Sequence, residues 1–364
     1  MLILIKNVDL FAPQHRGRQN ILICGDKIAE IAPTITIKAD LVKIIDAEGS
    51  IAIPGLIDQH VHITGGGGEN GLLSRIEPLP VSDCIEAGIT TIVGLLGTDS
   101  ATRSVHSLVA YTKAMNESGI TAYCLTGSYA YPSPTITGSV ANDIIYIQEV
   151  IGVKLAISDH RSSYPSRKEI LRLASQARTG GLISNKAGIV HFHVGKEKKG
   201  IADIIEIVKT TDFPINHLKP THMSNQLADA YEFAALGGSI DFTSGRDPEE
   251  VAAKIEEILA IVSPERITIS SDANGSLPIW DEKRTLIGIR KAEISTLLET
   301  LQILVLQKHF SLEQVLPFFT KNVAQGLKLY PQKGCIEIGS CADITITNSS
   351  LKPQAVFAKG KQLL

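Results

Sequence analysis

The sequence predicts an α/β protein, a (β/α)8 TIM-type barrel with a small β-sandwich domain formed by both chain ends. Three observations predict it. Apolar and polar residues alternate at period two through the first fifty or so positions; short apolar runs then alternate with amphipathic stretches from about Pro54 to Leu329; and the period-two pattern returns after Gly334. Strands buried on both faces and separated by helices mark βα units and a parallel sheet. The division read from this is 1–53 with 333–364 for the small β domain and 54–332 for the barrel.

In chain order, Ile21-Leu22-Ile23-Cys24, Gly25-Asp26 and Lys27–Ile31 make a strand, a turn and a strand, which is a hairpin pattern. Leu41–Ile45 is a further short strand. The candidate barrel strands are Gly55–His62, Thr90–Leu95, Thr121–Leu125, Val150–Ala156, Gly188–His193, Ile215–Thr221, Ser239–Thr243 and Arg266–Ser270. Amphipathic stretches such as Ala101–Glu117 and Val251–Ile261 fall between them. These strands occupy roughly 275 residues, close to the ~250 of such barrels. A doubly wound open sheet is the alternative that strand counting leaves open. Ala342–Ile346 and Ala355–Ala358 complete the pattern as strands that pair with the N-terminal ones.

Composition excludes several classes. Lys and Arg number 35 against 38 Asp and Glu, for a net charge of -3, which gives no electrostatic footprint for nucleic acid. The stretch Lys196-Glu197-Lys198-Lys199 reads as a solvated helix start. The 5 cysteines (Cys24, Cys84, Cys124, Cys335 and Cys341) are scattered, odd in number and without CxxC spacing. That excludes a disulfide framework and a thiolate zinc site. No apolar run approaches the roughly 20 residues of a membrane span, and the apolar start Met1–Ile5 is too short for a signal peptide. A cytoplasmic protein with neither nucleic-acid nor membrane partners is expected.

The strongest local motif is Asp58-Gln59-His60-Val61-His62, which ends an apolar run. Period two puts His60 and His62 on one face, and two imidazoles at a barrel mouth can hold a metal ion between them. Lys154 lies in the apolar strand Val150–Ala156, where an unpaired ammonium is costly, so it needs a partner or a modification. His193, His222 and Asp272 each end a predicted barrel strand, on the side where active sites of this fold are built. His191 reads as facing away from the His193 site or stacking near it, and His160 as supporting its loop.

A histidine pair on strand one, lysine on four, histidines on five and six and aspartate on eight resembles the ligand pattern of the amidohydrolase superfamily. Several segments narrow the resemblance to the isoaspartyl dipeptidases: Gly55–His62, Gly65-Gly66-Gly67-Gly68-Glu69, Val93–Asp99, Ile136–Ser139, Ile151–Lys154, Ala156–Arg161 and Ser271–Ser276. The resemblance implies two divalent metal ions, most simply Zn2+, bridged by an N6-carboxylated Lys154. His60 and His62 would bind one metal and His193 and His222 the other. Asp272 would touch the first and shuttle protons. Tyr129 would polarise the scissile carbonyl, Glu69 would hold the substrate amino group, Arg161 and Ser276 the substrate carboxylate, and Thr98 would make a further contact.

One position departs from the family: Asn225 stands where the carboxylate clamp has a second arginine. The implied substrate is a β-aspartyl dipeptide, and a homo-oligomer, in relatives as large as an octamer, is the implied assembly. Two other readings stand beside this one. A hydantoinase or dihydropyrimidinase-type cyclic amidohydrolase would share the metal site, and a metal-free scaffold would share only the fold.

Overall fold

The computed structural model describes residues 2–38, 42–283 and 285–364. The N-terminal region contributes β1 (Leu2–Phe11), β2 (His15–Cys24), β3 (Lys27–Ala32), β4 (Val42–Asp46) and β5 (Ile51–Pro54). Leu41, expected to open the fourth strand, lies outside the described residues. On β2, Ile21 and Ile23 are buried while Arg16 and Arg18 face solvent, the alternation the sequence carries.

The barrel strands follow: β6 (Leu56–Val61), β7 (Ile89–Gly94), β8 (Thr121–Gly127), β9 (Val150–Ile157), β10 (Ile189–Val194), β11 (Leu218–Thr221), β12 (Ile240–Thr243) and β13 (Ile267–Ser270). A helix follows each strand: α1 (Val81–Glu86), α2 (Val105–Glu117), α3 (Val140–Tyr146), α4 (Arg167–Ser184), α5 (Ala202–Thr210), α6 (Leu227–Ala235), α7 (Pro248–Ile258) and α8 (Thr296–Gln302). Serine caps explain where several begin. Ser104 and Ser166 close capping boxes on α2 and α4, and Asp247 caps α7 ahead of Pro248.

Strands β6 to β11 form one parallel sheet in chain order, and β12 pairs with β13. The ring closes where Val61 bridges Ala273 and the His62 N–H donates to the Ala273 carbonyl at 2.8 Å. Across the other seam, the Thr221 hydroxyl donates to Asp241 at 2.5 Å. Every residue of β6, β7, β9 and β10 is buried, as expected of parallel strands covered by helices. Strand six is shorter than its apolar run, because Ile215–His217 coil into a 3-10 turn after Pro214.

A hairpin that the sequence reading did not anticipate, β14 (Ser276–Trp280) with β15 (Leu286–Lys291), stands between β13 and α8. The chain ends in β16 (Ile344–Thr347), β17 (Pro353–Ala358) and β18 (Lys361–Gln362). Among the described residues both ends meet in one mixed sheet, ordered β18-β17-β16-β5-β1-β2-β3, with β4 also beside β1. It has its own apolar core, including Ile3, Ile5, Val8, Ile21, Ile344 and Phe357, separate from the core between barrel and helices.

Candidate metal centre and substrate cleft

The barrel brings His60, His62, Lys154, His193, His222 and Asp272 to one end. His60 Nε2 and His62 Nε2 lie 3.2 and 3.1 Å from Asp272 Oδ1. Lys154 Nζ, fully buried, lies 3.2 Å from His60 Nε2. The His222 ring sits 5.0 Å from that of His60 and 4.6 Å from that of His193, centroid to centroid. One ligand atom from each of His60, His222 and Asp272 falls within 4.8 Å of the others. His222 and Asp272 both take left-handed backbone, at φ 63° and 58°. For residues other than glycine this costs energy and concentrates at functional sites. Here it turns the chain sharply just past a strand and leaves the side chain over the barrel mouth.

Hydrogen bonds fix which atom each imidazole offers. His222 Nδ1 is engaged by Thr243 Oγ1 at 2.7 Å, and its Nε2 is buried without a partner among the described residues. His193 Nε2 donates to Asp159 Oδ2 at 2.9 Å, so its Nδ1 carries the lone pair, which accepts from the Tyr129 hydroxyl at 2.6 Å. A carboxylate behind a histidine is a common way of orienting a metal ligand. Asp272 Oδ1 also lacks a hydrogen-bond partner among the described residues. Orphaned acceptors converging in a buried space are what a cation would satisfy, and the nitrogen-and-carboxylate donor set suits zinc.

Electrostatics favour the same forms. Burial holds His60, His191 and His222 well below the usual imidazole range and His193 at about 4, so all are neutral and able to ligate. Burial also brings the Lys154 ammonium down to about 7. For Asp272, burial alone would raise the carboxyl, but His60, His62 and His222 outweigh it and hold it ionised.

Beside this cluster is an open cleft lined by Glu69, Thr98, Tyr129, Arg161 and Ser276 together with His62, His193 and Asp272. Glu69 Oε1 accepts from Ser276 Oγ at 2.8 Å and lies 3.4 Å from Arg161 Nη1; its Oε2 and the Thr98 hydroxyl are buried without partners among the described residues. Arg161 grips Asp159 through Nε to Oδ1 and Nη2 to Oδ2, both at 2.9 Å. Burial opposes ionisation of Asp159, yet Arg161 and His193 hold it well below the usual carboxylate range.

Glu69 rides on the glycine loop. Gly65, at φ +79°, could not carry a side chain, since a Cβ there would meet the Ile76 carbonyl oxygen at 2.0 Å. Arg103 spans the loop's two ends, donating to the carbonyls of Thr64 at 3.1 Å and Ile76 at 2.9 Å, and pairs with Asp99 at 3.4 Å.

Asn225 lies in the 3-10 turn after His222, exposed and outside the cleft lining. Arg246 is also exposed. His160 projects into solvent. His191, in contrast, is buried inside the barrel with its Nε2 at 2.9 Å from His60 Nδ1, so it touches the site rather than facing away.

Sequence reasoning singled out neither Asp159 nor Arg103 as an individual residue. Asp159 lay within the Ser158-Asp159-His160-Arg161 segment and had a signal, an acid two residues before the selected arginine. Arg103 had none.

The fold and this cluster define a member of the amidohydrolase family: the model of that family matches residues 51–363, and the chain belongs to it and is a hydrolytic enzyme. A crystal structure of the β-aspartyl dipeptidase of Fervidobacterium islandicum AW-1, in complex with β-Asp-Leu, is 41% identical. It superposes with a TM-score of 0.94 over 100% of this chain and 97% of that one. The D-hydantoinase (dihydropyrimidinase) of a Thermus species, 15% identical with a TM-score of 0.73 over 100% and 95%, shares the fold alone.

Among curated relatives, the deacetylase Atu3266 of Agrobacterium fabrum is 24% identical over 94% of this chain and 81% of its own. A dihydroorotase of Pediococcus pentosaceus is 22% identical over 58% and 49%, so the match spans about half that relative's length. Family membership sets aside the non-enzymatic scaffold. Among the described residues, no helix is long and apolar enough to cross a membrane.

Proposed function

We propose that the protein hydrolyses the isopeptide bond of β-aspartyl dipeptides at a binuclear metal centre. The observation that carries the reading is the placement of Glu69, Ser276 and Arg161 in one cleft with Asp272 and the histidines. An anion for an ammonium and a cation for a carboxylate, side by side, suit a zwitterionic dipeptide better than a neutral ring. The Fervidobacterium protein, crystallised with β-Asp-Leu, supports the same choice.

His60 and His62 would hold one metal and His193 and His222 the other, with Asp272 on the first and Lys154 between them. Lys154, with its pKa near 7, offers the neutral amine that adds to carbon dioxide and loses a proton to give an anionic carbamate. That also resolves the cost of burying its charge. Two divalent metals bound there supply a hydroxide nucleophile at neutral pH and polarise the amide carbonyl.

The chain's own residues do the rest. Glu69 binds the substrate ammonium, Arg161 and Ser276 its carboxylate, and Thr98 adds a further contact from the cleft wall. The Tyr129 hydroxyl, 2.6 Å from His193 in this structure, turns to donate to the carbonyl oxygen as charge develops there. Asp272, ionised, accepts the proton of the attacking water and passes it to the leaving amine. The deciding experiment is hydrolysis of β-Asp-Leu beside α-Asp-Leu and dihydrouracil. Turnover of β-Asp-Leu alone is expected; preference for dihydrouracil would replace this reading with the cyclic-amide one.

A further inference from the structure

His60 uses both ring nitrogens. Its Nε2 faces Lys154 Nζ and Asp272 Oδ1, each at 3.2 Å, while its Nδ1 lies 2.9 Å from His191 Nε2. His191 comes from β10, two residues before His193, and its register neighbours are Lys154 on β9 and Lys219 on β11. It is 1% exposed, and its ring meets that of His60 at 66° with centroids 4.9 Å apart.

We propose that His191 is a positioning residue for the metal centre, fixing the tautomer and ring orientation of His60. The inference rests on the metal-centre reading above. A neutral imidazole carries one proton. For His60 Nε2 to offer its lone pair, that proton must sit on Nδ1, and His191 Nε2 must accept it. His191 then carries its own proton on Nδ1. The reverse arrangement, with His191 donating, would place the His60 proton on Nε2 and point it at the metal position. The pair therefore has one productive arrangement, and docking of the His191 ring in the strand layer below the site holds the His60 ring to it.

Neighbouring histidines obtain the same service from oxygen: Thr243 for His222 and Asp159 for His193. A carboxylate at position 191 would stand beside Lys154 in the sheet register, favouring its ammonium form and opposing the carbamate. A neutral imidazole accepts the hydrogen bond without bringing that charge.

The test is zinc affinity, measured by competition with a chromophoric chelator, together with the thermal midpoint of the metal-free protein. His191→Phe keeps the ring volume and removes the acceptor; His191→Gln restores an acceptor as an amide oxygen. Loss of such a partner typically weakens metal binding by about 10–100-fold. That loss is expected for His191→Phe, with most of it recovered in His191→Gln and little change in the metal-free midpoint. Equal zinc affinity in His191→Phe and the parent, or no recovery in His191→Gln, overturns the inference. A parent protein that binds no zinc overturns the metal-centre reading instead.

Should the phenylalanine variant not fold, nitrogen-15 histidine spectra of the zinc-loaded parent decide the point. His60 protonated on Nδ1 supports the inference, and protonation of His191 on Nε2 sinks it.

Discussion

The proposed ligands and the proposed substrate readers are built on different parts of the molecule. His60, Lys154 and His193 belong to barrel strands, and His62, His222 and Asp272 stand within two residues of a strand's end. Glu69, Thr98 and Arg161 stand on the loops after β6, β7 and β9, and Ser276 opens a hairpin beyond β13. The strand-borne side chains inherit their positions from the sheet register, since Lys154 and His191 are direct neighbours and closure of the barrel sets His62 against Ala273. Loop-borne side chains have no such frame. They are held by polar braces: Arg103 across the glycine loop, Asp159 on Arg161, and Ser276 on Glu69. The rigid half suits chemistry that needs sub-ångström placement, and the braced half suits recognition.

Removing the centre of the rigid half should have the largest effect. Lys154→Ala is expected to lose both metal equivalents and most activity, with acetate or another short-chain acid restoring part of it by occupying the carbamate position. Metal analysis before and after acid addition checks this, and full metal content in the unsupplemented variant would contradict the bridging role. Asp272→Asn is next. Turnover should fall by about 10²–10⁴, the range for a positioned acid–base group, while the KM for β-Asp-Leu changes little. A turnover within tenfold of the parent would remove Asp272 from proton transfer.

The two halves differed in the same way in how far the sequence disclosed them. Apolar runs ending in His or Asp, and a lysine inside the apolar run Val150–Ala156, pointed to the rigid half from residue order alone, because active sites of this fold are built at one end of the barrel. The loop residues Glu69, Thr98 and Arg161 carried no periodic signal and entered only through family resemblance. What escaped both routes depends on tertiary closure. Arg103 meets the carbonyls of Thr64 and Ile76, far from it in sequence, and His191 faces His60 across the barrel interior. The hairpin β14–β15 was missed because its apolar stretches, Leu277-Pro278-Ile279 and Leu286–Ile289, are short and lie between the last barrel strand and its helix. Pro278 is tolerated there because the hairpin is only two strands wide.

Disturbing the braced half should act on binding more than on turnover. Glu69→Gln removes the anion proposed to face the substrate ammonium. Losing one partner of a desolvated charge pair costs about 2–5 kcal/mol, read here as a fall in kcat/KM. An unchanged kcat/KM would mean that Glu69 does not read the amine. Arg103→Met keeps the bulk of the side chain but abandons two loop carbonyls. A KM several-fold higher with kcat nearly intact is expected, together with faster proteolysis of the glycine loop. Parallel losses in kcat and metal content would show that the two halves are not separable at this residue.

The smallest effect belongs to Asn225, where the resembled family has an arginine. An arginine–carboxylate pair inside a closed pocket would be strong and bidentate. In this structure, however, the side chain at 225 is exposed and outside the cleft lining, and Arg161 is the lining arginine that is not spanning backbone carbonyls. An arginine placed at 225 would reach the substrate carboxylate from the solvent side, where a charge pair contributes about 0–1 kcal/mol. Asn225→Arg should therefore lower KM for β-aspartyl dipeptides by no more than about fivefold, with kcat unmoved, the mark of binding that stabilises ground state and transition state equally. Arg246, exposed after β12, is the control: Arg246→Ala should leave KM unchanged. A sharp rise in KM for Arg246→Ala would mean that this arginine swings in when substrate arrives and supplies the missing charge. In that case Asn225→Arg should add nothing further, because the carboxylate would already be paired.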